Sequence, residues 1–182
     1  DNKMNLANKI TLLSVLLIPI FMIVLLSNLK WNNYIAAVIF IVASLTDSLD
    51  GYIARSKNQI TTFGKFVDPL ADKLLVTTAL ICLTEIGKVP AWIVIIILSR
   101  EFTITGFRTI AASEGITIAA SPLGKIKTIT QLIAITALLI NNYPFSYINF
   151  PFDRIMLYIS LLFTILSGVD YIYKNRHVLK LK

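Results

Sequence analysis

The sequence has few charged residues, a single cysteine and a single histidine in 182 residues. The lone cysteine, Cys82, has no second cysteine to pair with, so a disulfide framework is excluded and no redox compartment is indicated. The lone histidine, His177, lies in a basic C-terminal segment, where we expect it to be solvated. Charged residues make up 15% of the chain, against about 25% in an ordinary soluble domain. This composition argues against a soluble globular protein.

Long apolar runs take the place of the missing charge. The chain is 56% hydrophobic, with a mean hydropathy of +0.75. A helix that crosses a bilayer needs about 20 apolar residues, so the length leaves room for about six spans and no separate soluble domain. We therefore predict an all-α, polytopic membrane protein with one transmembrane domain over residues 1–182. The predicted spans are 7–26, 34–45, 66–86, 90–110, 124–140 and 154–173.

The termini and the charges suggest how the chain is oriented. The first apolar run is too long for the core of a signal peptide and has no small-residue cleavage site after it. We expect Met4 to be the natural start, with residues 1–3 left over from an expression vector. The net charge of +7 comes from short connections and tails, which indicates topology signals and lipid headgroup contacts rather than nucleic-acid binding. The positive-inside rule places both termini and the second and fourth connections in the cytoplasm.

Four aspartates interrupt the apolar sequence between the second and third spans. Asp47 and Asp50 are three residues apart and Asp68 and Asp72 four, so each pair shares one face of a helix. The short linker between the pairs would fold the second helix back, so that the four carboxylates converge in a polar, cytoplasmic-side cavity. Bare anions at close range repel strongly, and oxygen ligands favour Mg²⁺, Mn²⁺ or Ca²⁺. Two such ions would suit chemistry on a phosphate ester; buried structural ion pairs are the alternative.

The full pattern is Asp47-x₂-Asp50-Gly51-x₂-Ala54-Arg55-x₈-Gly64-x₃-Asp68-x₃-Asp72. It resembles the signature of the CDP-alcohol phosphotransferases, membrane enzymes that make phospholipids by displacing CMP from a CDP-linked donor. The resemblance implies that the four aspartates hold two divalent ions, Mg²⁺ or Mn²⁺, that Asp72 is also the general base, and that the enzyme is a homodimer. It further implies that the CDP moiety is bound by Asn8, Thr11, Asp50, Gly51, Ala54, Arg55, Gly64 and Asp68.

A second set of charges lies on the fourth and fifth predicted spans. Arg100 and Arg108 are about 80° apart around the helix axis, so both can face one cavity. An unpaired arginine at membrane depth is costly, which indicates water, an acidic partner such as Glu101, or an anionic ligand. With Lys125 and Lys127 at the start of the next span, the set would attract a phosphate-bearing acceptor and repel choline or ethanolamine.

The segments Arg-Glu-Phe (100–102), Gly-x-Arg (106–108) and Gly-Lys-x-Lys-Thr (124–128) resemble those of the phosphatidylglycerophosphate synthases within this family. This resemblance implies CDP-diacylglycerol as the donor and sn-glycerol 3-phosphate as the acceptor. Inositol phosphate stays open as the acceptor, because charge alone does not separate two hydroxylated phosphates. A divalent-cation transporter or channel is an alternative of another class. Against it, the sequence has no evident repeat that would bring a second set of carboxylates.

Overall fold

The computed structural model describes the backbone of residues 6–56 and 62–179, and within these ranges it describes the side chains of all but residues 6–8, 50, 51, 53–56, 62–66, 68 and 69. Over the described residues the chain forms six α-helices and no strand, which confirms the all-α class. The helices are α1 (Leu6–Leu26), α2 (Asn32–Ser56), α3 (Thr62–Glu85), α4 (Ala91–Ser113), α5 (Pro122–Leu139) and α6 (Phe152–Lys174). Two short 3-10 turns, Phe145–Ile148 and Arg176–Leu179, precede and follow α6.

Each of the six predicted spans coincides with one helix, and the helices are longer than the apolar runs. α2 continues through the whole of the first aspartate pair to Ser56, and α3 begins at Thr62, four residues before the predicted start. Hydropathy marks only the part of a helix that is suited to hydrocarbon, whereas the backbone hydrogen bonds of a helix extend into polar sequence as well. The fixed positions of the aspartate signature therefore lie on α2 and α3.

Three helices in the described part of the chain are long and apolar enough to cross a membrane by length and composition. They contain the segments Lys9–Leu26, Asn32–Leu49 and Phe152–Lys174. α4 has the required length, but it carries three charged side chains, Arg100, Glu101 and Arg108. The count of six spans and the cavity remain predictions.

The chain divides into two compact units. The first unit consists of Asp1–Lys88 with Leu139–Asn141. In it, α1 packs against α2 and α3, and α2 packs against α3. The rings of Phe21 and Phe40 meet at a centroid distance of 6.0 Å. Ala36, Ala37 and Ala43 are buried on α2, and such small side chains allow neighbouring helices to approach closely.

The second unit consists of Val89–Leu138 with Asn142–Lys182. Here α4 packs against α6, and the C-terminal turn packs against both helices. Val178 of that turn is buried in a cluster with Phe107 and Tyr171. α5 is joined to α6 by a buried hydrogen bond, in which Gln131 Nε2 donates to Thr164 Oγ1 at 3.0 Å.

Candidate active site

Asp47 and Asp72 are the two predicted carboxylates whose side chains the structure describes. Asp47 lies in the C-terminal half of α2 and is half-buried, and Asp72 lies in the N-terminal half of α3 and is exposed. Because α2 and α3 pack against each other in the first unit, both carboxylates belong to one helix pair. The side chains of the other residues predicted for this site on α2 and α3 lie outside the described residues: Asp50, Gly51, Ala54, Arg55, Gly64 and Asp68.

The structure thus describes the side chains of two of the four predicted metal ligands. Among the side chains that the structure describes, no group of three His, Cys, Asp or Glu residues could hold a metal ion. Two of the four predicted ligands, Asp50 and Asp68, fall outside that set. The two described members fit a hard divalent ion chemically, because carboxylate oxygens are the ligands that Mg²⁺ and Mn²⁺ prefer.

Thr11 is the described member of the pair predicted at the entry of the first span. It is 1% exposed on α1, in the interior of the first unit. One turn later Ser14 is also buried, and its hydroxyl donates to the carbonyl of Ile10 at 3.3 Å. The side chain of Asn8 lies outside the described residues. The nucleotide-binding role of both residues stays a prediction.

A polar cleft lies at the opposite end of the same three helices. It is lined by residues from the end of α1, the start of α2 and the end of α3, among them Asn32, Asn33 and Glu85. Asn33 Nδ2 donates to Asn141 Oδ1 at 3.1 Å, and Lys88 Nζ donates to the same oxygen. These contacts tie Asn141 to the start of α2 and to the segment after α3, at the helix ends opposite the aspartate signature.

In the second unit, Glu101 is the shared partner of two cations. Its Oε1 atom accepts a hydrogen bond from Arg100 Nη1 at 3.1 Å and a second one from Lys127 Nζ. The side chains of Arg100, Glu101 and Lys127 are 13%, 18% and 10% exposed. Arg100 Nη2 also donates to the buried hydroxyl of Ser167 at 3.0 Å. The prediction that Glu101 pairs with Arg100 is confirmed, and the triad keeps a net charge of +1.

Arg108 is held differently. Its Nε atom donates to the hydroxyl of Tyr171 at 3.1 Å, and the residue as a whole is exposed. Lys125 is exposed as well; it stands two positions before Lys127 on α5, which places the two side chains about 200° apart around the helix. The structure thus brings Arg100 and Lys127 together at Glu101. Arg108 contacts the same face of α6 as Arg100 does, through Tyr171 and Ser167 respectively. Lys125 lies on a different side of α5 from Lys127.

Sequence reasoning missed three residues of α6 that receive these arginines. Ser167 and Tyr171 accept the hydrogen bonds, and Gly168 leaves the space that Arg100 occupies, because a Cβ there would lie 3.0 Å from Arg100 Cγ. With Ser160 and Thr164 they form a stripe of buried residues at helical spacing. In the sequence, these small and polar residues recur every three or four positions within an apolar span, and this spacing indicates a polar face on the helix.

Comparison with known proteins adds to this geometry. A family model described as CDP-alcohol phosphatidyltransferase matches residues 4–166. The chain is 49% identical, over 97% of both chains, to the CDP-diacylglycerol–glycerol-3-phosphate 3-phosphatidyltransferase of Bacillus subtilis (strain 168). It is 40% identical to the protein of the same name from Escherichia coli (strain K12), over 74% of this chain and 76% of the other. It is 37% identical to a probable phosphatidylglycerophosphate synthase of Mycobacterium tuberculosis (strain ATCC 25618 / H37Rv), over 92% and 80%.

Proposed function

Since the chain belongs to the CDP-alcohol phosphatidyltransferase family, we propose that it transfers the phosphatidyl group of CDP-diacylglycerol to sn-glycerol 3-phosphate, giving phosphatidylglycerophosphate and CMP. The observation that carries this proposal is the 49% identity, over 97% of both chains, to a relative whose name states this donor and this acceptor. Because the two sequences match over nearly their full length, the same helices are available to form the site in both proteins. The transporter alternative is set aside, because the family consists of enzymes.

Asp47, Asp50, Asp68 and Asp72 are the residues that would hold two divalent ions, Mg²⁺ or Mn²⁺. The proposal is supported by the packing of α2 against α3 and by the oxygen-only donor set, which suits hard cations. When bound, such ions offset the negative charge of a diphosphate and of the departing phosphate.

The cytidine diphosphate part of the donor is assigned to residues at the ends of α1, α2 and α3. Gly51 and Ala54 stand on the helix face that carries Asp47, where small side chains leave room for a ligand. Arg55 follows them and supplies a planar guanidinium with five donors, which matches the geometry of a phosphate. The remaining members of this set are Asn8, Thr11, Asp50, Gly64 and Asp68.

Asp72 is proposed as the general base. It takes the proton of the acceptor hydroxyl while that oxygen forms a bond to the phosphorus of the donor, and the bond from this phosphorus to CMP breaks. The exposed position of Asp72 on α3 supports the role, because a base must reach the hydroxyl that it deprotonates. A base of this kind supplies about 10²–10⁴ in rate.

The phosphate of the acceptor is assigned to the cations of the second unit: Arg100, Arg108, Lys125 and Lys127. Arg108 is the strongest member, since it is exposed and its bond to Tyr171 uses only Nε, and a guanidinium has four further N–H donors. Arg100 and Lys127 share Glu101, so together they add one net charge. Lys125 would contribute to the general positive potential near the site.

The protein lies in a membrane, as its apolar helices and its family indicate. We place it in the cytoplasmic membrane as a multi-pass homodimer, with the aspartates facing the cytoplasm. The excess of Lys and Arg in the connections beside the aspartates supports this side. In this orientation the acyl chains of the donor stay in the bilayer, and the polar acceptor enters from the cytoplasm.

One experiment tests the reaction and the acceptor together. The purified protein in mixed micelles with CDP-diacylglycerol and Mg²⁺ receives sn-glycerol 3-phosphate, inositol 1-phosphate or no acceptor, and CMP release is measured. We expect release only with sn-glycerol 3-phosphate, in an amount equal to the phosphatidylglycerophosphate formed. Release with inositol 1-phosphate alone would replace the acceptor assignment, and no release with either would refute the proposed function.

A further inference from the structure

The contact between Arg108 and Tyr171 joins an exposed cation to a buried hydroxyl. Arg108 lies near the C-terminal end of α4 and Tyr171 near the C-terminal end of α6. The Nε atom of Arg108 donates to the Tyr171 hydroxyl at 3.1 Å, and the guanidinium carbon lies 5.5 Å from the centroid of the tyrosine ring. Tyr171 is only 3% exposed. The arginine is therefore anchored at its inner nitrogen while its residue remains accessible to solvent.

Tyr171 is itself fixed by its surroundings. Its ring meets the ring of Phe107 edge to face, with a centroid distance of 5.8 Å and an interplanar angle of 80°. Ile104, Ala111 and Val178 complete the buried cluster around it. A ring that is packed on several sides keeps one rotamer, so its hydroxyl is a fixed point for a hydrogen bond.

The nitrogen of Arg108 that binds the tyrosine determines which of its donors remain for a ligand. A free arginine side chain samples many rotamers, and a ligand that binds to it must first order it. Anchoring Nε removes part of this cost before the ligand arrives, and it leaves Nη1 and Nη2 as the fork that binds a phosphate through two hydrogen bonds. A hydroxyl partner is neutral, so it also leaves the charge of the arginine intact.

From this geometry we propose that Tyr171 is a positioning residue for the acceptor: its hydroxyl holds the Arg108 guanidinium so that the two terminal nitrogens meet the phosphate of sn-glycerol 3-phosphate. The proposal rests on the proposed function, in which Arg108 binds that phosphate. Tyr171 lies beyond residues 4–166, the part of the chain that the family model covers. The specificity for the acceptor would thus depend on the C-terminal end of α6 as well as on the shared family region.

The test uses Tyr171→Phe, which keeps the ring and its packing against Phe107 and removes only the hydroxyl. CMP release is measured while sn-glycerol 3-phosphate and CDP-diacylglycerol are varied separately. We expect the KM for sn-glycerol 3-phosphate to rise about five- to tenfold, the effect of losing one typical intramolecular hydrogen bond, while kcat and the KM for CDP-diacylglycerol change less than about twofold. The matched control is Tyr158→Phe, since Tyr158 is an exposed tyrosine on the same helix.

A second background separates positioning from a purely structural role. Arg108→Ala alone should raise the KM for sn-glycerol 3-phosphate, and adding Tyr171→Phe to it should change that KM by less than about twofold, because the hydroxyl then has no guanidinium to hold. An unchanged KM in Tyr171→Phe would overturn the proposal. An equal rise in both backgrounds, or a parallel loss of kcat, would overturn it too.

The measurements distinguish an error in the role of Tyr171 from an error in the proposed function. If the unaltered protein releases CMP only with sn-glycerol 3-phosphate and Tyr171→Phe behaves like Tyr158→Phe, the role of Tyr171 is wrong and the reaction stands. If the unaltered protein releases no CMP with sn-glycerol 3-phosphate, the reaction is wrong and the role of Tyr171 falls with it.

Discussion

Replacing Glu101 by glutamine should destabilise the protein far more than the loss of an ordinary surface ion pair. Glu101 Oε1 accepts hydrogen bonds from both Arg100 and Lys127 within the second unit. Glutamine has nearly the same shape and keeps an oxygen at this position, but it removes the only negative charge of the triad. The net charge of the group then rises from +1 to +2 in a place where the three side chains are 10–18% exposed.

The burial of the triad sets the size of the effect. Removing one partner of a buried ion pair costs about 3–5 kcal/mol, because the remaining charge is left without compensation. Glutamine still accepts one hydrogen bond, so we expect the lower end, about 3 kcal/mol. For a chain of this length that corresponds to a fall of about 6–12 °C in the unfolding midpoint.

Thermal unfolding of the purified protein in detergent measures this difference. The matched control is Asp170→Asn, which also turns an acid into its amide but breaks an exposed pair, Lys174 Nζ to Asp170 Oδ1 at 2.9 Å, in which the lysine side chain is 62% exposed. Exposed pairs contribute at most about 1 kcal/mol, so the midpoint of this variant should fall by less than about 4 °C.

A double variant shows whether charge is the cause. Combining Glu101→Gln with Lys127→Met restores the net charge of +1, so we expect the double variant to be at least about 1 kcal/mol more stable than the sum of the two single changes. Equal midpoints for Glu101→Gln and Asp170→Asn would refute the reasoning, because they would show that water screens the triad as well as it screens a surface pair.

Three other outcomes follow, two from the proposed function and one from the packing of α6 against Arg100. Asp72→Asn should abolish CMP release while CDP-diacylglycerol binding largely persists, and an equal loss of both would contradict the role of Asp72 as the base. Removing divalent ions with EDTA should stop CMP release, and Mg²⁺ or Mn²⁺ should restore it; activity that survives chelation would contradict the metal assignment. Gly168→Ala should lower stability by about 1–3 kcal/mol, because its Cβ would lie 3.0 Å from Arg100 Cγ; an unchanged unfolding midpoint would show that Arg100 moves aside at no cost.

The parts of the molecule that sequence could predict are those governed by local spacing. The apolar runs located all six helices, because each run lies within or overlaps one helix; the run on α2 covers only about half of that helix. The pairing of Arg100 with Glu101 could also be predicted, since the two residues are neighbours in the chain. Hydropathy failed only where helices leave the apolar zone, as at the start of α3 at Thr62.

The contacts that sequence could not predict are those between distant helices. Lys127 is 26 residues from Glu101, Tyr171 is 63 residues from Arg108, and Ser167 is 67 residues from Arg100. Spacing along one helix predicts which side chains share a face, but the register between two helices depends on packing details such as the missing side chain of Gly168. The stripe of small and polar residues on α6 indicated that a polar face existed, without naming the partners.

The cations of the second unit have two kinds of partner, a carboxylate and a hydroxyl, which affect the charge of the cation differently. A charge on an apolar helix requires compensation, so the sequence already implied that Arg100 and Arg108 would have partners. A carboxylate partner cancels charge, and Glu101 does this for two cations at once. A hydroxyl partner orients a cation and leaves its charge available, as Tyr171 does for Arg108. Because an anionic acceptor is attracted only by charge that is not already neutralised, a hydroxyl partner is consistent with the role that we propose for Arg108, and a carboxylate partner is not.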